Sequence, residues 1–505
     1  MNWVQADACK LLTEPENIKG KIMKLEDFGF KLLGKIAHKK STEICSSHLG
    51  IGFETLDRDM WNVEHAWPVL NDLGVKWARV QTGWAKTERP SRAGQEGNRV
   101  GQEGGKGVYD FAWLDDIVDK LLERGVQPWL SVSYGNSLYT PEASPDGTGF
   151  VPIYTDIERS GWVAYVKALT RHYRDRVSHY EVWNEPDAGF FKPKPDPTLY
   201  VELVKLTSGA IKSEFADAQI IGGAFGNAMN PGGLQFTEKC FECGFADYID
   251  ILSYHGYKYM PEQYAEQEFP AYHHLVKKYK PGMKIWQGET GCPSKVPEGN
   301  TQALAEMKVS EDIQARWLTR RVLLELGFDA DHVNYFNMGD FANYVFDGEL
   351  GYSSHYGLLR LEDGTTKPSY FALQSLATLL HDPLKVADGL TSFRMQAGDD
   401  ENAVTREQAA CAWQVNLIRG DVPVQAWWLR EEVEKDPDWK SITFYYWLDK
   451  DLKLDNPVLI DPISQNVYEL ELKKNYGMPE FANLPISNSP MILTDRSIIE
   501  LAKRC

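Results

Sequence analysis

Residues 179–187 read HYEVWNEPD and form the most informative stretch of the chain. The opening run is typical of a buried strand, and Pro186 disfavours helical geometry at the residue before it, so the strand is expected to stop here. Glu185 then lies where a strand meets its loop, with the amide of Asn184 beside it. In a barrel of parallel strands, a side chain at this position points into the barrel mouth.

A second strand ends in the same way. Residues 284–291 read KIWQGETG, so Glu289 terminates an apolar run and has glycines close on both sides. Glycine lacks a Cβ atom and permits close approach of the backbone. Taken singly, each glutamate is ordinarily a solvated carboxylate at a strand end. The two glutamates together indicate a catalytic site only if both strands belong to one barrel.

The chain between residues 47 and 383 alternates short apolar runs with segments of helical period. The predicted strands are 48–53, 75–80, 126–132, 179–183, 219–222, 249–254, 284–287 and 332–336. The predicted helices are 59–73, one opening at 110, then 158–175, 198–215, 235–244, 262–279, 311–327 and 368–380. Eight strand–helix pairs predict an α/β fold, a (β/α)₈ TIM barrel with enlarged loops. A doubly wound sheet is the alternative, but its early Gly-rich phosphate turn is missing.

The pattern of apolar and polar residues changes after residue 384. Short alternating runs such as 410–415 and 442–447 are separated by charged or Asp/Pro/Gly turns, which is typical of an antiparallel β-sandwich. We therefore predict a C-terminal antiparallel β-sandwich domain over 384–505. Residues 1–46 give no clear pattern, and a strand or helix that packs on this second domain is the interpretation left open.

Composition excludes several classes of protein. A formal net charge of −18 argues against nucleic acid, whose phosphates require a basic surface. No run approaches the 18 or so apolar residues of a membrane helix, and the N-terminus lacks the apolar core of a secretory signal. The seven cysteines are odd in number and scattered, which favours free thiols, so a cytoplasmic location is expected.

Two local features have ordinary interpretations. Residues 91–107 (SRAGQEGNRVGQEGGKG) are Gly-rich and polar, and we interpret them as a surface loop rather than a gate over the substrate. Cys240 and Cys243 form a lone C-x-x-C in a helical stretch without a second pair, so a helix face is favoured over a zinc or redox site.

The pair of strand-end glutamates, Glu185 and Glu289, indicates the chemistry. On the fourth and seventh strands of a barrel they would face each other across the mouth, and retaining glycosidases need two carboxyl groups about 5 Å apart. The motif W-N-E-P at 183–186, with Glu289, resembles the signature of clan A retaining glycosidases. Within that clan, the stretch GVYDFAWLD (107–115) and the layout of the domains are most similar to glycoside hydrolase family 39, which includes β-xylosidases and α-L-iduronidases.

The resemblance implies roles for further residues. Arg79 corresponds to an arginine that supports the nucleophile, and His255 and Tyr257 resemble the clan's His-x-Tyr pair, in which the tyrosine hydrogen-bonds the nucleophile. Asn184 would bind the sugar 2-hydroxyl. Arg79 and Tyr257 would thus keep Glu289 ionised, while neighbouring negative charge favours the protonated form of Glu185.

Other residues at the same end of the barrel are predicted to line sugar subsites: Glu54, Trp84, Tyr134 and Asn136. The chain departs from the clan at the eighth strand, where many members carry a tryptophan beneath the sugar. This strand reads NYFNM (334–338), and Phe336 or Tyr335 is the residue expected to substitute.

These observations predict a retaining glycoside hydrolase that acts on the end of an oligosaccharide or glycoside, namely a β-xyloside, β-glucoside or β-galactoside. Glu289 would be the nucleophile and Glu185 the acid/base. No cofactor or metal is predicted, because the chain has no H-E-x-x-H motif, P-loop or Rossmann glycine turn. A carbohydrate-binding protein without catalysis and a metal-dependent barrel lyase or isomerase are the alternatives.

Overall fold

The computed structural model describes residues 23–90, 107–227, 231–298, 304–346, 349–387, 402–445, 451–475 and 478–503. Residues 91–106, which make up nearly all of the predicted Gly-rich loop, lie outside this described part. The chain divides into two compact units: His38–Leu384 forms one, and Met1–Ala37 together with Lys385–Cys505 forms the other.

The larger unit contains a closed barrel of eight parallel strands, as the alternation predicts. The strands are β1 (Leu49–Gly52), β2 (Trp77–Gln81), β3 (Gln127–Val132), β4 (His179–Val182), β5 (Gln219–Phe225), β6 (Ile251–His255), β7 (Lys284–Thr290) and β8 (His332–Tyr335). They are buried along nearly their whole length, as expected for parallel strands that are covered on both faces. The prediction of a TIM barrel is confirmed.

A helix of seven or more residues follows each strand, and a short additional helix, Trp84–Thr87, directly follows β2. The helices are α1 (Trp67–Leu73), α2 (Ala112–Glu123), α3 (Asp156–Tyr173), α4 (Pro197–Glu214), α5 (Pro231–Glu242), α6 (Ala265–Tyr279), α7 (Glu311–Gly327) and α8 (Pro368–Leu379). Local capping sets several of their starts. The Asp196 side chain accepts hydrogen bonds from two backbone N–H groups at the start of α4, and Ser310 accepts one at the start of α7.

The first helix is shorter than predicted. The sequence favoured a helix over 59–73, whereas α1 begins at Trp67 and two 3₁₀ turns, Leu56–Arg58 and Val63–His65, precede it. The physical reason is Pro68, which lacks a backbone N–H and therefore fits only the first turn of a helix. Asp59, at a φ of 53°, breaks the helical run before it.

Aromatic rings fill the barrel interior beneath the mouth. The ring centroid of Trp286 on β7 lies 5.4 Å from that of Trp77 and 5.2 Å from that of Trp129, and His332 packs against the same group. The guanidinium carbon of Arg79 lies 5.7 Å from the centroid of Trp129. The charged side chains of the mouth thus rest on an apolar layer, which keeps water from reaching them from below.

The smaller unit contains two antiparallel sheets. The larger has seven strands among the described residues, and the smaller consists of Lys440–Tyr445, Met478–Ile486 and Lys473–Asn475. Side chains from both sheets, including Trp427, Leu493 and Phe444, share one buried cluster, so the predicted β-sandwich is confirmed. An N-terminal strand, Leu32–Lys35, pairs with Asn466–Glu469 in the larger sheet. Within the part of the chain described, no helix has the length and apolar character needed to cross a membrane.

Candidate active site

Glu289 lies at the carboxyl end of β7, beside His255 of β6 in the parallel pairing. Its Oε2 accepts a hydrogen bond of 2.7 Å from Nη1 of Arg79, and its Oε1 accepts one of 2.6 Å from the hydroxyl of Tyr257. The side chain is only 10% exposed. Both oxygens are therefore held by donors, which fixes the orientation of the carboxylate.

The surroundings of Glu289 favour its ionised form. Burial by itself would raise the pKa of this carboxyl, but nearby His255 and Arg79, helped by hydrogen bonds from Glu54 and Tyr257, lower the pKa below its ordinary value. Glu289 is thus an anion near neutral pH, which is the state that a nucleophile requires.

Arg79 organises the site from the middle of β2. It is fully buried, and its Nε donates to Oε2 of Glu181 over 2.7 Å while its Nη2 donates to Oδ1 of Asn184 over 2.8 Å. Its Nη1, the donor to Glu289, also lies 3.1 Å from Oε2 of Glu54. One guanidinium therefore orients four side chains that lie on or directly after three strands, β1, β4 and β7, as its planar fork of five donors allows.

Glu185 follows β4 on a strained piece of backbone. Trp183 and Glu185 have φ angles of 72° and 46°, a left-handed region that costs a non-glycine residue about 1–3 kcal/mol and that clusters at functional sites. The turn is fixed by the backbone N–H of Glu185, which donates to the carbonyl of Ala224 over 3.0 Å. This conformation turns the side chain of Glu185 toward β6 and β7.

The imidazole of His255 lies close to the carboxyl groups of both Glu185 and Glu289. The Nδ1 atom of His255 lies 2.9 Å from Oε1 of Glu185 and 3.7 Å from Oε2 of Glu289. One nitrogen or oxygen atom from each of these three side chains lies within 4.8 Å of the other two. Burial would lower the pKa of His255, but the charges of Glu289 and Glu185 outweigh it and raise the pKa. The sequence placed these residues at three strand ends, and the structure brings them together.

The same three residues have the spacing of a metal site, and in the described part of the chain they are the one cluster that does. However, Arg79 already places a fixed positive charge 2.7 Å from Glu289. A divalent cation bound to that carboxylate would meet this charge at close range, so the donor set fits a glutamate pair better than a metal centre.

Asp187 and Gly226 support Glu185, and sequence reasoning missed both. The carboxylate of Asp187 accepts hydrogen bonds of 2.8 and 2.9 Å from the backbone N–H groups of Gly226 and Asn227. A Cβ atom added to Gly226 would lie 2.7 Å from Cδ of Glu185, so only glycine fits there without displacing that side chain. The position of Asp187, directly after N-E-P, was the available signal.

Three of the predicted sugar-contact residues lie at the site. Glu54 contacts Arg79, and the ring of Phe336 lies 6.4 Å from that of Tyr257 in an edge-to-face arrangement. Tyr134 is buried against Trp183, and its hydroxyl accepts a hydrogen bond of 3.4 Å from Gln81.

Trp84 and Asn136 are not at the site, and this corrects the prediction. Trp84 has no exposed surface, stacks on Tyr139 at 4.9 Å, and donates its indole N–H to Glu88 over 2.7 Å. The Asn136 amide donates to the carbonyl of Glu88, and its oxygen accepts from the backbone of Leu138, both over 2.9 Å. Their polar groups are engaged within the loops, which leaves neither residue available to a sugar.

Arg58 and Tyr344 lie near the site although the sequence did not single them out. The Nη2 atom of Arg58 donates to Oε1 of Gln81 over 2.9 Å, and its guanidinium lies 5.5 Å from the ring centroid of Tyr134. The Tyr344 hydroxyl feels the charges of Arg58, Glu185 and Glu289, and burial raises its pKa. Tyr344 belongs to the long segment after β8, whose path no local pattern predicts.

A row of Ser353, His355 and Asp340 follows in the same segment. Oγ of Ser353 lies 2.9 Å from Nε2 of His355, whose Nδ1 lies 3.1 Å from Oδ2 of Asp340. The order matches a hydrolytic triad, but the ammonium of Lys367 contacts Asp340 over 2.7 Å and compensates the charge that an imidazolium would need. We interpret the row as a network that fixes the loop.

A barrel of eight parallel strands with paired glutamates at the ends of β4 and β7, one of them held ionised by an arginine, defines the class of (β/α)₈ glycosidases. The family model described as glycosyl hydrolases family 39 matches residues 96–417, well over half of the chain. The chain belongs to this family, and the resemblance predicted from its motifs is confirmed.

Two characterised relatives are similar to this chain along much of its length. A β-xylosidase from Geobacillus stearothermophilus is 23% identical over 339 residues, which cover 63% of this chain and 64% of that protein, slightly less than two thirds of its length. A β-xylosidase from Caldicellulosiruptor saccharolyticus is 24% identical over 386 residues, which cover 72% of this chain and 74% of that protein.

The fold has a counterpart among solved structures. A family 39 glycoside hydrolase from the gut symbiont Bacteroides cellulosilyticus WH2 superposes with a TM-score of 0.60 at 19% identity, over 89% of this chain and 81% of that one. At this identity the likeness shows the fold alone.

Proposed function

We propose that this protein is a retaining exo-glycosidase that releases a terminal sugar from a β-xyloside. In the first step an oxygen of Glu289 attacks the anomeric carbon while Glu185 protonates the leaving oxygen, so the glycosidic bond breaks and a covalent glycosyl-enzyme forms. In the second step Glu185 takes a proton from water, the water oxygen attacks the anomeric carbon, and Glu289 leaves as a carboxylate. The sugar keeps its configuration.

The observation that carries this proposal is the spacing of the two glutamates. Their nearest oxygens lie within 4.8 Å. Retaining enzymes separate the two carboxyl groups by about 5–5.5 Å, whereas inverting enzymes leave about 6.5–9.5 Å for a water molecule. The short spacing, with Glu289 held as an anion by Arg79 and Tyr257, supports direct attack by Glu289.

One observation supports a β-xyloside over the β-glucoside or β-galactoside that the sequence also leaves open. A second observation supports cleavage at the end of the sugar chain. Both characterised relatives carry the name β-xylosidase. The segment after β8 places the ring of Phe336 edge-to-face against Tyr257, and Tyr344 lies close enough to both glutamates to interact with their charges, so this segment borders the site on that side. A site bordered in this way favours one terminal sugar over the middle of a polymer.

The test is a panel of aryl β-xylosides, β-glucosides and β-galactosides assayed with the wild type, Glu289→Gln and Glu185→Gln. We expect the wild type to prefer the xyloside and Glu289→Gln to lose several powers of ten in kcat/KM. Glu185→Gln should keep cleavage of a substrate with a very acidic phenol and be accelerated by azide, which replaces water without needing a general base. Proton NMR of the first product should show the β-anomer.

Each arm of this experiment can contradict one part of the proposal. Activity that persists in Glu289→Gln would exclude Glu289 as nucleophile, and an α-anomer as first product would exclude retention. Activity lost on treatment with a chelator would favour a metal-dependent reaction. Tight binding of a xyloside by a wild type that hydrolyses none of the panel would favour a carbohydrate-binding protein.

A further inference from the structure

Arg79 is one buried cation that faces three buried carboxyl groups. Glu181 and Glu289 contact it at 2.6–2.7 Å, and Glu54 contacts it at 3.1 Å. The Arg79 and Glu181 side chains have no exposed surface, Glu54 has 1%, and Glu289 has 10%. Buried anions require compensating charge or hydrogen bonds. His255, whose pKa is raised, can add a second positive charge beside Glu289, but it also faces Glu185, so the cations still number fewer than the carboxyl groups. We therefore expect one of the three carboxyl groups around Arg79 to carry a proton.

The contacts identify Glu54 as the protonated group. Oε2 of Glu181 receives two nitrogens of Arg79, Nε at 2.7 Å and Nη2 at 2.6 Å. Glu289 receives one nitrogen of Arg79 and the hydroxyl of Tyr257. Glu54 has only the longest contact, and its Oε1, like that of Glu181, is buried without a hydrogen-bond partner among the described residues. Glu54 is therefore the least stabilised of the three as an anion.

The carboxyl groups of Glu54 and Glu289 lie side by side, because Nη1 of Arg79 contacts Oε2 of both, at 3.1 and 2.7 Å. Two ionised carboxylates can only accept hydrogen bonds and repel each other, so one proton between them relieves the repulsion and allows a hydrogen bond. Both groups share Nη1 of Arg79, but the hydroxyl of Tyr257 donates to Glu289 alone. The proton thus belongs on Glu54, with Glu289 as acceptor.

We propose that Glu54 stays protonated in the resting protein and donates its hydroxyl to Glu289, which makes it a positioning residue for that carboxylate. The inference rests on the proposed role of Glu289 as nucleophile. Glu54 would orient Glu289 and spread its negative charge without touching the sugar. This role differs from the sugar subsite that the sequence predicts for Glu54, because its side chain faces Arg79.

The electrostatics of the groups around Glu54 agree with this assignment. Burial, and after it the charge of Glu289, raises the pKa of Glu54 well above its ordinary value; Arg79 lowers it, and Glu181 raises it further. Tyr257 also lies close enough to Glu289 to interact with the charge of that carboxylate. From the end of β8, Asn337 contributes a neutral amide whose oxygen accepts from the backbone N–H of Glu54 over 3.4 Å.

Two neutral substitutions test the proposal by kinetics. Glu54→Gln keeps a donor directed at Glu289, whereas Glu54→Leu has a similar volume and no donor. We expect kcat/KM to fall by about tenfold or less with Gln and by about 100-fold with Leu, because a hydrogen bond to a charged group is worth one to two powers of ten. The acid limb of the pH profile should move to higher pH in Glu54→Leu alone. Equal losses in both variants would mean that an anionic Glu54 is needed, and would overturn the proposal.

An infrared measurement decides the protonation state without relying on activity. The wild-type minus Glu54→Gln difference spectrum near neutral pH should show the carbonyl stretch of a protonated carboxylic acid. Loss of carboxylate bands instead would overturn the proposal. Glu181→Gln is the matched control, and its spectrum should show loss of carboxylate bands. Because the spectra need no substrate, a protein inactive on every glycoside would refute the proposed function while this result still assigned the proton.

Discussion

Tyr257 is the neutral side chain that contacts Glu289 most closely. Its hydroxyl donates to Oε1 over 2.6 Å, on the opposite oxygen from Arg79. Burial and the charge of Glu289 raise the pKa of Tyr257 well above its ordinary value, so the phenol stays protonated and remains a donor. A neutral donor on one oxygen and a cation on the other hold the carboxylate in a single orientation, and this preorganisation favours attack in one direction.

Tyr257→Phe should lower kcat/KM by about 10- to 100-fold, because a hydrogen bond to a charged group contributes about 1.5–3 kcal/mol. Since that bond helps to lower the pKa of Glu289, its loss should also move the acid limb of the pH–rate profile to higher pH. Tyr254→Phe is the matched control, because Tyr254 lies on β6 three residues before Tyr257 and its buried hydroxyl bonds Glu325 instead. The control should lose stability and keep the profile of the wild type. An unshifted limb in Tyr257→Phe would contradict this account.

At the scale of elements, β4 and β5 together place Glu185. Strand β4 ends at Val182, the backbone then turns through two left-handed residues, and the segment after β5 lies directly against the carboxyl group. Asp187 ties the two segments by accepting from the backbone of Gly226 and Asn227. The acid/base position thus depends on the fit between neighbouring loops and not on the strand alone.

Gly226→Ala tests that fit. The added methyl would lie 2.7 Å from Cδ of Glu185 and would displace it, so we expect kcat/KM to fall by about 100-fold, as a misplacement of about 1 Å can produce. Thermal unfolding should change little. Gly209→Ala on α4 is the control, since no atom lies within 4 Å of the new methyl and alanine favours a helix by up to about 1 kcal/mol. Wild-type activity in Gly226→Ala would show that Glu185 can be repositioned freely.

At the scale of the whole molecule, the barrel buries carboxyl groups whose protonation is coupled to folding. Asp187 is such a group, because burial and the charge of Glu185 raise its pKa to about 6 although its backbone donors oppose the shift. A carboxyl with a raised pKa binds its proton more tightly in the folded state. The protonated carboxyl therefore stabilises the folded state fully at a pH below the pKa of Asp187 in the unfolded state, which is about 4. This stabilisation is lost as the pH rises through about 6.

The free energy of unfolding should therefore decrease between about pH 4 and pH 6, by up to about 3 kcal/mol from Asp187. Asp187→Asn removes the titration, so its stability curve should be flatter over this interval even if the lost acceptor lowers stability throughout. Denaturant unfolding at several pH values measures both curves. If the stability curves of the wild type and Asp187→Asn are parallel over this interval, Asp187 does not titrate as proposed. Asp363→Asn serves as control, because the pKa of this exposed carboxyl is lowered by its bonds to Thr365 and not raised by burial.

Local sequence patterns were sufficient to predict the barrel and its two central carboxylates. Helical and strand periodicity are local properties, so they predicted all eight strands and placed each predicted helix, with errors of a few residues at the ends and a larger one before Trp67. Glu185 and Glu289 were found because a strand end is also a local feature. Arg79, His255 and Tyr257 were found by the resemblance to a family.

The set of loop residues that reach the site depends on tertiary contacts, and so does the protonation state of each of those residues. Trp84 and Asn136 follow strands at the same end of the barrel as the site, but both are buried among their neighbours. Tyr344 approaches the carboxylates, and Arg58 contacts Gln81 and Tyr134, from segments without a periodic pattern. The protonation proposed for Glu54 depends on Arg79 and Glu289, which lie on other strands and far along the chain. Burial and charge at one point are set by residues distant in sequence, and no local pattern contains them.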